Sequence, residues 1–312
     1  MAPGKRDAPF RAVWPAGLAV PLGGIALAHN NMKRLSLLAC CALLSGCAMF
    51  GRVKHTVTGD VSVISMNDFM DGRKLRVYLP PGYHSGSRRY PVLYMMDGQN
   101  LFDAATSFAG EWRVDETCDA LIRAGEIEPL IVVGIDNAGQ GRIAEYTPWP
   151  DPKYGGGDAA GFLAELKGTL KPAIDRLYRT RPEPAHTFIG GSSLGGLISA
   201  YAGYSDPGTW GGVIAMSPSY WWDGERFAAW AAGRRKPALR FFYQDMGDSE
   251  KGADPGVEDY IGTLRRVRKL ALSQGFREGE DLFSVEAAGH SHSEKYWAER
   301  FPLALRRLLP AR

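Results

Sequence analysis

His186-Thr187-Phe188-Ile189-Gly190-Gly191-Ser192-Ser193-Leu194-Gly195-Gly196-Leu197 reads as a buried strand, a glycine-pinched turn and the start of a helix. Within it, Gly191-Ser192-Ser193-Leu194-Gly195 has the G-x-S-x-G spacing, which places a serine in strained backbone at the tip of a strand-to-helix turn. A Cβ at either flanking glycine would run into the strand or the helix beside the turn. Ser193 Oγ is therefore expected at the sheet edge, with the free N–H groups and positive dipole end of the new helix facing any anion that forms there. Small residues, Ile198-Ser199-Ala200-Tyr201-Ala202, follow as that helix.

Outward from the elbow, continuous apolar runs at Tyr90–Met96 and Pro129–Ile135 suit strands buried on both faces, as do Gly212–Met216 and Leu239–Tyr243. Alternation at Val61–Met66 and Lys74–Leu79 predicts two antiparallel strands, and Leu282–Ala287 a last strand. Helical periodicity covers Glu111–Ala124, Asp158–Tyr178 with a kink or break at Pro172, Glu225–Ala232, Val257–Gln274 and Ser293–Leu309. The alternation implies one α/β domain with a mainly parallel, doubly wound sheet, whose ligands sit at the carboxyl ends of the strands.

The N-terminus reads differently. Met32-Lys33-Arg34, the apolar Leu35–Leu44 and the ending Leu44-Ser45-Gly46-Cys47 resemble a bacterial lipoprotein signal with its lipobox. That resemblance implies cleavage before Cys47, lipidation of its thiol and a tether to a membrane face, with Ala48 matching outer-membrane sorting. Residues 1–46 are thus assigned to targeting, with 1–31 an upstream extension, 47–59 to a linker and 60–312 to the domain. The 312 residues carry 37 Lys+Arg and 34 Asp+Glu; residues 1–46 hold five of the former and one of the latter, which leaves 32 against 33. A balance near −1 gives no reason to expect a nucleic-acid partner. Of the four cysteines, Cys40 and Cys41 lie in the signal and Cys47 takes lipid, so Cys118 is expected as a small buried apolar residue.

A serine hydroxyl needs a base within reach and a third group to hold that base. Gly289-His290-Ser291-His292 follows the last strand; His292 is preferred because it opens the helix toward Trp297 and Arg300, while His290 lies nearer the strand end. A metal half-site is the alternative for a His-x-His pair, and no metal or cofactor is expected, since the other histidines are scattered. The acid is sought in Gln244-Asp245-Met246-Gly247-Asp248-Ser249-Glu250, where Glu250 is taken first and Asp248 second. The turn Asp97-Gly98-Gln99 is placed to offer the Gln99 backbone N–H beside that of Leu194 as an oxyanion pair.

Tyr78-Leu79-Pro80-Pro81-Gly82-Tyr83, Asp97-Gly98-Gln99-Asn100-Leu101-Phe102-Asp103, Arg142 with Glu145-Tyr146, the elbow, Ser217-Pro218-Ser219 with Trp221-Trp222, and His292 with Trp297 together resemble the putative-esterase family of α/β-hydrolases. That family includes enterochelin esterase-like enzymes, feruloyl esterases, S-formylglutathione hydrolases and mycolyl transferases. The resemblance implies Ser193 as nucleophile, His292 as general base, Gln99 and Leu194 as oxyanion donors, and Glu250 at the acid position three residues after Gly247; Asp248 departs from the family pattern. Substrate contacts are expected from Asp97, Arg142, Trp221 and Trp222, the tryptophans as an aromatic wall or as core, Arg142 as a carboxylate ligand or as a partner of Glu145. The expected activity is serine-dependent hydrolysis of a siderophore-type or carbohydrate-linked ester on the periplasmic side of a membrane. An acyltransferase to a sugar hydroxyl would use the same residues, and a non-catalytic envelope binding protein would not need them.

Overall fold

The computed structural model describes residues 54–251 and 259–311. The targeting segment, Cys47 and the first residues of the helix expected from Val257 lie outside them. In chain order the strands are β1 Asp60–Ser65, β2 Lys74–Leu79, β3 Val92–Met96, β4 Ile131–Ile135, β5 Thr187–Ser192, β6 Gly212–Met216, β7 Phe241–Gly247 and β8 Leu282–Ala287. The helices are α1 Val114–Arg123, α2 Arg142–Tyr146, α3 Ala159–Glu165, α4 Lys171–Leu177, α5 Leu194–Ser205, α6 Trp222–Ala232, α7 Tyr260–Ser273 and α8 Glu294–Leu308.

The strands form one eight-stranded sheet in the order β1-β2-β4-β3-β5-β6-β7-β8. β2 pairs antiparallel with β1 and with β4, and every other pairing is parallel. Parallel strands have helices over both faces, so their side chains must be apolar on both. β3 does this by alternation: Val92, Tyr94 and Met96 enter one core with Leu197 and Ile198 of α5, while Leu93 and Met95 enter the other with Cys118 of α1 and Phe301 of α8. Cys118 is fully buried, as its place on an apolar helix face requires.

Several boundaries differ from the sequence expectation for local reasons. The helix expected over Asp158–Tyr178 is α3, a π-helical segment at Leu166–Leu170, and α4 with Pro172 in its first turn. Proline lacks the N–H for an i→i−4 bond, and the wider π turn takes up the mismatch. α6 begins earlier than expected and contains a left-handed turn at Asp223, Gly224 and Glu225 (φ 48, 64 and 63°), with Arg266 holding Glu225 at 2.6 and 2.8 Å. β7 runs on through Gly247, so Gln244, Asp245 and Met246 belong to a strand flanked by β6 and β8 and not to a loop. The described end of the 47–59 linker is docked: Asp115 Oδ2 accepts the Thr58 and Gly59 amides at 2.8 and 2.9 Å, and Asp103 accepts the Thr56 amide at 3.2 Å.

Candidate active site

Three central strands end in the same unusual way. The residue after β3 is Asp97 (φ 58°), that after β5 is Ser193 (φ 57°) and that after β6 is Ser217 (φ 41°). Positive φ is unfavourable for any residue with a Cβ, and such strain persists only where the surroundings enforce it. At Ser193 (φ 57°, ψ −124°) the enforcing contacts are close packing of strand and helix. A Cβ on Gly191 would lie 2.9 Å from Met96 Cβ and from the Gly195 carbonyl carbon; one on Gly195 would lie 2.8 Å from Met96 Cβ. The elbow expected from the spacing is therefore present, with the β3 turn lying against the first turn of α5.

The loop after β6 grips the elbow from the other side. Ser193 N–H donates to the Met216 carbonyl and Ser219 N–H to the Ser193 carbonyl, both at 3.0 Å. Ser193 Oγ lies 3.3 Å from Ser219 Oγ. Among the described residues the Gln99 and Leu194 backbone N–H groups have no acceptor in the protein. Leu194 opens α5, where the first N–H groups are always left over.

The base and acid are brought together by the C-terminal segments. His292 Nδ1 lies 2.8 Å from Glu250 Oε2, and the Glu250 side chain is fully buried. Glu250 Oε1 accepts the Ser217 hydroxyl at 2.5 Å and the Gly247 amide at 2.8 Å. Burial alone would push this carboxyl up; the His292 bond and charge, the Ser217 hydroxyl and the Gly247 amide outweigh it and hold the carboxyl below its ordinary value. Gly247 is where the two segments cross, since a Cβ there would sit 2.0 Å from the His290 carbonyl oxygen. The competing residues point elsewhere. Asp248 is exposed and accepts the Gly289 amide at 2.7 Å, and His290 stacks on Tyr296 with 4.5 Å between ring centroids. Asp245 is fully buried and ion-paired with Arg300 at 3.1 Å.

Arg300 is the residue that reading the sequence missed as part of the site. Its guanidinium reaches Asp245, the Ser217 hydroxyl (2.7 Å), His290 Nδ1 (3.3 Å) and Glu250 (3.7 Å) from a side chain only 5% exposed. Trp297, one turn earlier on α8, donates its indole N–H to Ser217 Oγ at 2.8 Å and meets the His292 ring edge-on, 5.0 Å between centroids. Ser217 thus takes two donors and gives its own proton to Glu250. The signal was in the sequence: Arg300 interrupts the apolar stripe Trp297, Phe301, Ala304, Leu305, Leu308.

On the other side, the oxyanion turn is clamped by charge. Arg142 donates to both Asp97 oxygens at 2.6 and 2.8 Å, and Asn137 Nδ2 donates to Oδ1 at 2.6 Å. The expected alternative partner, Glu145, pairs instead with Arg73 at 2.7 and 2.9 Å, because α2 turns the two side chains to different neighbours. Asp97 and Arg142 therefore face each other first, and the Asp97 carboxylate is not a free charge. Glu294, also missed from sequence, is 6% exposed and accepts from Asn100 at 3.2 Å. Burial and the nearby Asp97 charge push its carboxyl up, more than the backbone bond, His292 and Arg142 lower it. Trp222 is buried with its indole N–H on the Trp149 carbonyl at 2.7 Å, so it is core; Trp221 is half-buried, with Tyr154, Trp222 and Tyr260 around its ring and part of the residue left to solvent.

The family described as Putative esterase matches residues 67–308. The chain is 26% identical over 240 residues to the Uncharacterized protein YbbA of Bacillus subtilis, covering 75% of this chain and 91% of that one. It is 28% identical over 156 residues to the iron(III) salmochelin esterase of Escherichia coli, covering 49% of this chain and 34% of that protein. Its fold superposes on the feruloyl esterase module from Clostridium thermocellum complexed with sinapinate with a TM-score of 0.60 and 21% identity, over 80% of this chain and 87% of that module.

Proposed function

The chain belongs to the putative esterase family, and from that premise we propose that it is a serine esterase working through an acyl-enzyme on Ser193. The observation that carries the reading is Ser193 held at φ 57°, ψ −124° at the end of β5 and tied through Ser219 to the loop after β6, whose Ser217 bonds the Glu250 that holds His292. Ser193 Oγ leaves Ser219 and attacks the ester carbonyl while its proton passes to His292 Nε2. Glu250 fixes the imidazole tautomer through Nδ1 and faces the imidazolium with a negative charge. The carbonyl oxygen, now an anion, accepts from the Gln99 and Leu194 N–H groups, each worth on the order of 3 kcal/mol of barrier. Collapse expels the alcohol, protonated by His292; water then repeats the sequence on the acyl-enzyme, releasing the acid and restoring Ser193.

The substrate is a siderophore-type or carbohydrate-linked ester with an aromatic ring for the exposed part of Trp221, a class supported by the salmochelin esterase relative. Arg142 keeps 22% of its side chain exposed and orients a substrate carbonyl or carboxylate only after satisfying Asp97. The enzyme works in the cell envelope, tethered through Cys47, a reading supported by the Leu44-Ser45-Gly46-Cys47 ending. Fluorophosphonate labelling of the wild type but not of Ser193→Ala is the expected result; equal labelling of both would remove the serine mechanism. Turnover on p-nitrophenyl acyl esters, feruloyl sugars and a trilactone siderophore, with and without a sugar acceptor, then ranks substrates and separates hydrolysis from acyl transfer. Metabolic palmitate labelling lost in Cys47→Ala checks the tether.

A further inference from the structure

On the α1–α8 side of the sheet, Glu111-Trp112-Arg113-Val114-Asp115-Glu116 gathers three carboxyls that the esterase chemistry does not use. The chain turns at Arg113 (φ 57°) into α1, which folds Glu111 back beside Asp115 and Glu116. One carboxylate oxygen from each of the three lies within 4.8 Å of the other two. Asp115 is 0% exposed. Its Oδ2 accepts the Thr58 and Gly59 amides, but its Oδ1 is buried without a hydrogen-bond partner, and so are Glu111 Oε1 and Glu116 Oε2. Arg113 ion-pairs with Glu116 through Oε1 at 3.4 Å, one positive charge against three carboxyls. Buried carboxylate oxygens are almost always paired, because an unpaired one has lost water and gained nothing. Three carboxyls brought together, each with one buried oxygen that lacks a partner, mark a place built for a positive ligand.

We propose that Glu111, Asp115 and Glu116 are the protein ligands of a Ca²⁺ ion that clasps the entry of the chain, residues 58–59, to the start of α1. The donors are all hard oxygens, which excludes the thiolate and imidazole sets that favour zinc. Three carboxylates from one short stretch suit Ca²⁺, which takes six to eight oxygens in a flexible shell, whereas Mg²⁺ keeps several waters and is usually held by one or two carboxylates. Water completes the shell from a groove of about 680 Å³ that Glu111 and Glu116 line with Thr117, Lys295 and Glu299. The sequence reading expects no metal because it weighs histidines and cysteines; this set is invisible to it, since Glu111 lies outside the helix that carries the other two. A single proton shared by Asp115 and Glu116 is the rival occupant, and burial with that neighbour does push Glu116 up to about 7.

The test uses the mature full-length chain, stripped with EDTA, at pH 8 in 150 mM KCl. Calorimetric titration with CaCl2 is expected to give one site per chain with Mg²⁺ at least tenfold weaker, a rise in Tm on Ca²⁺ addition, and protection of residues 54–59 from limited proteolysis. Glu111→Gln with Glu116→Gln should abolish all three and leave turnover on a p-nitrophenyl ester unchanged, since neither residue belongs to the esterase machinery. Asp115→Asn also disturbs the Thr58 and Gly59 bonds and is read only for Ca²⁺ uptake. No uptake by the wild type at millimolar Ca²⁺, or equal uptake by the double variant, overturns the proposal; Ca²⁺-independent stabilisation of Glu116→Gln would assign the cluster to a shared proton instead.

Discussion

The two halves of the candidate catalytic centre are held by different physics. The nucleophile half is a backbone object: Asp97, Ser193 and Ser217 are forced to positive φ at the ends of three neighbouring strands, with glycines where strand and helix touch. The base half is a side-chain object, in which His292, Glu250, Ser217, Asp245, Trp297 and Arg300 are joined by hydrogen bonds across segments far apart in sequence. Backbone constraint is local and leaves a motif. A side-chain network is non-local and leaves only isolated residues whose meaning depends on what packs against them.

The largest effect that sharpens this contrast is at the elbow itself. Ser193→Ala should lower ester turnover by about 10⁴-fold or more while leaving the fold intact. Ser193→Gly should be equally inactive yet more stable than wild type by about 1–3 kcal/mol in urea unfolding, because glycine relieves the positive φ; a less stable Ser193→Gly would mean that no strain is stored there. Next comes Glu250→Gln, which keeps the shape but stops fixing the His292 tautomer, with an expected kcat loss of about 10⁴-fold and KM nearly unchanged.

Arg300→Met breaks the side-chain half without touching any reacting atom. Removing one partner of a buried pair leaves Asp245 uncompensated and should cost about 3–5 kcal/mol of unfolding free energy. Adding Asp245→Asn should recover much of that loss, whereas a purely steric role for Arg300 predicts no recovery. A smaller effect is expected at Glu294. Its carboxyl is pushed up by burial and by Asp97, so the folded state holds the proton more tightly than the unfolded chain. Wild-type stability from this group is then full below the ordinary glutamate value of ~4.3 and declines as pH rises through the raised one. Glu294→Gln keeps a partner for Asn100 and should lose that decline, seen as a Tm difference that widens in its favour with pH. Asp248→Asn, which only trims an exposed tie to Gly289, should change kcat/KM less than threefold and stability by under about 0.5 kcal/mol.

The same contrast explains what the sequence made legible. The elbow and the parallel strands followed from glycine placement and from apolar runs such as Tyr90–Met96; His292 was chosen because it opens the helix toward Trp297 and Arg300, and Glu250 by its position in the loop expected after Tyr243. The end of β7 could not be foreseen, because Gln244 and Asp245 are polar residues satisfied inside the fold by distant partners, among them Ser284, Tyr220 and Arg300. Arg142 was expected to bind a substrate carboxylate or to pair with Glu145, and its bond to Asp97 was not foreseen, because the partner depends on how α2 is rotated. Glu294 and Arg300 gave the weakest signal of all, since α8 carries six charged residues and little in the sequence marks these two as the buried ones.

The edge-on meeting of Trp297 with His292 has an optical consequence. An imidazolium quenches an adjacent indole far more than a neutral imidazole does, so the emission of Trp297, isolated from the other tryptophans by difference against Trp297→Phe, follows the charge on the ring 5.0 Å away. With His292 as the proposed base, that emission becomes a light-based gauge of its proton transfer, readable during turnover without any added dye.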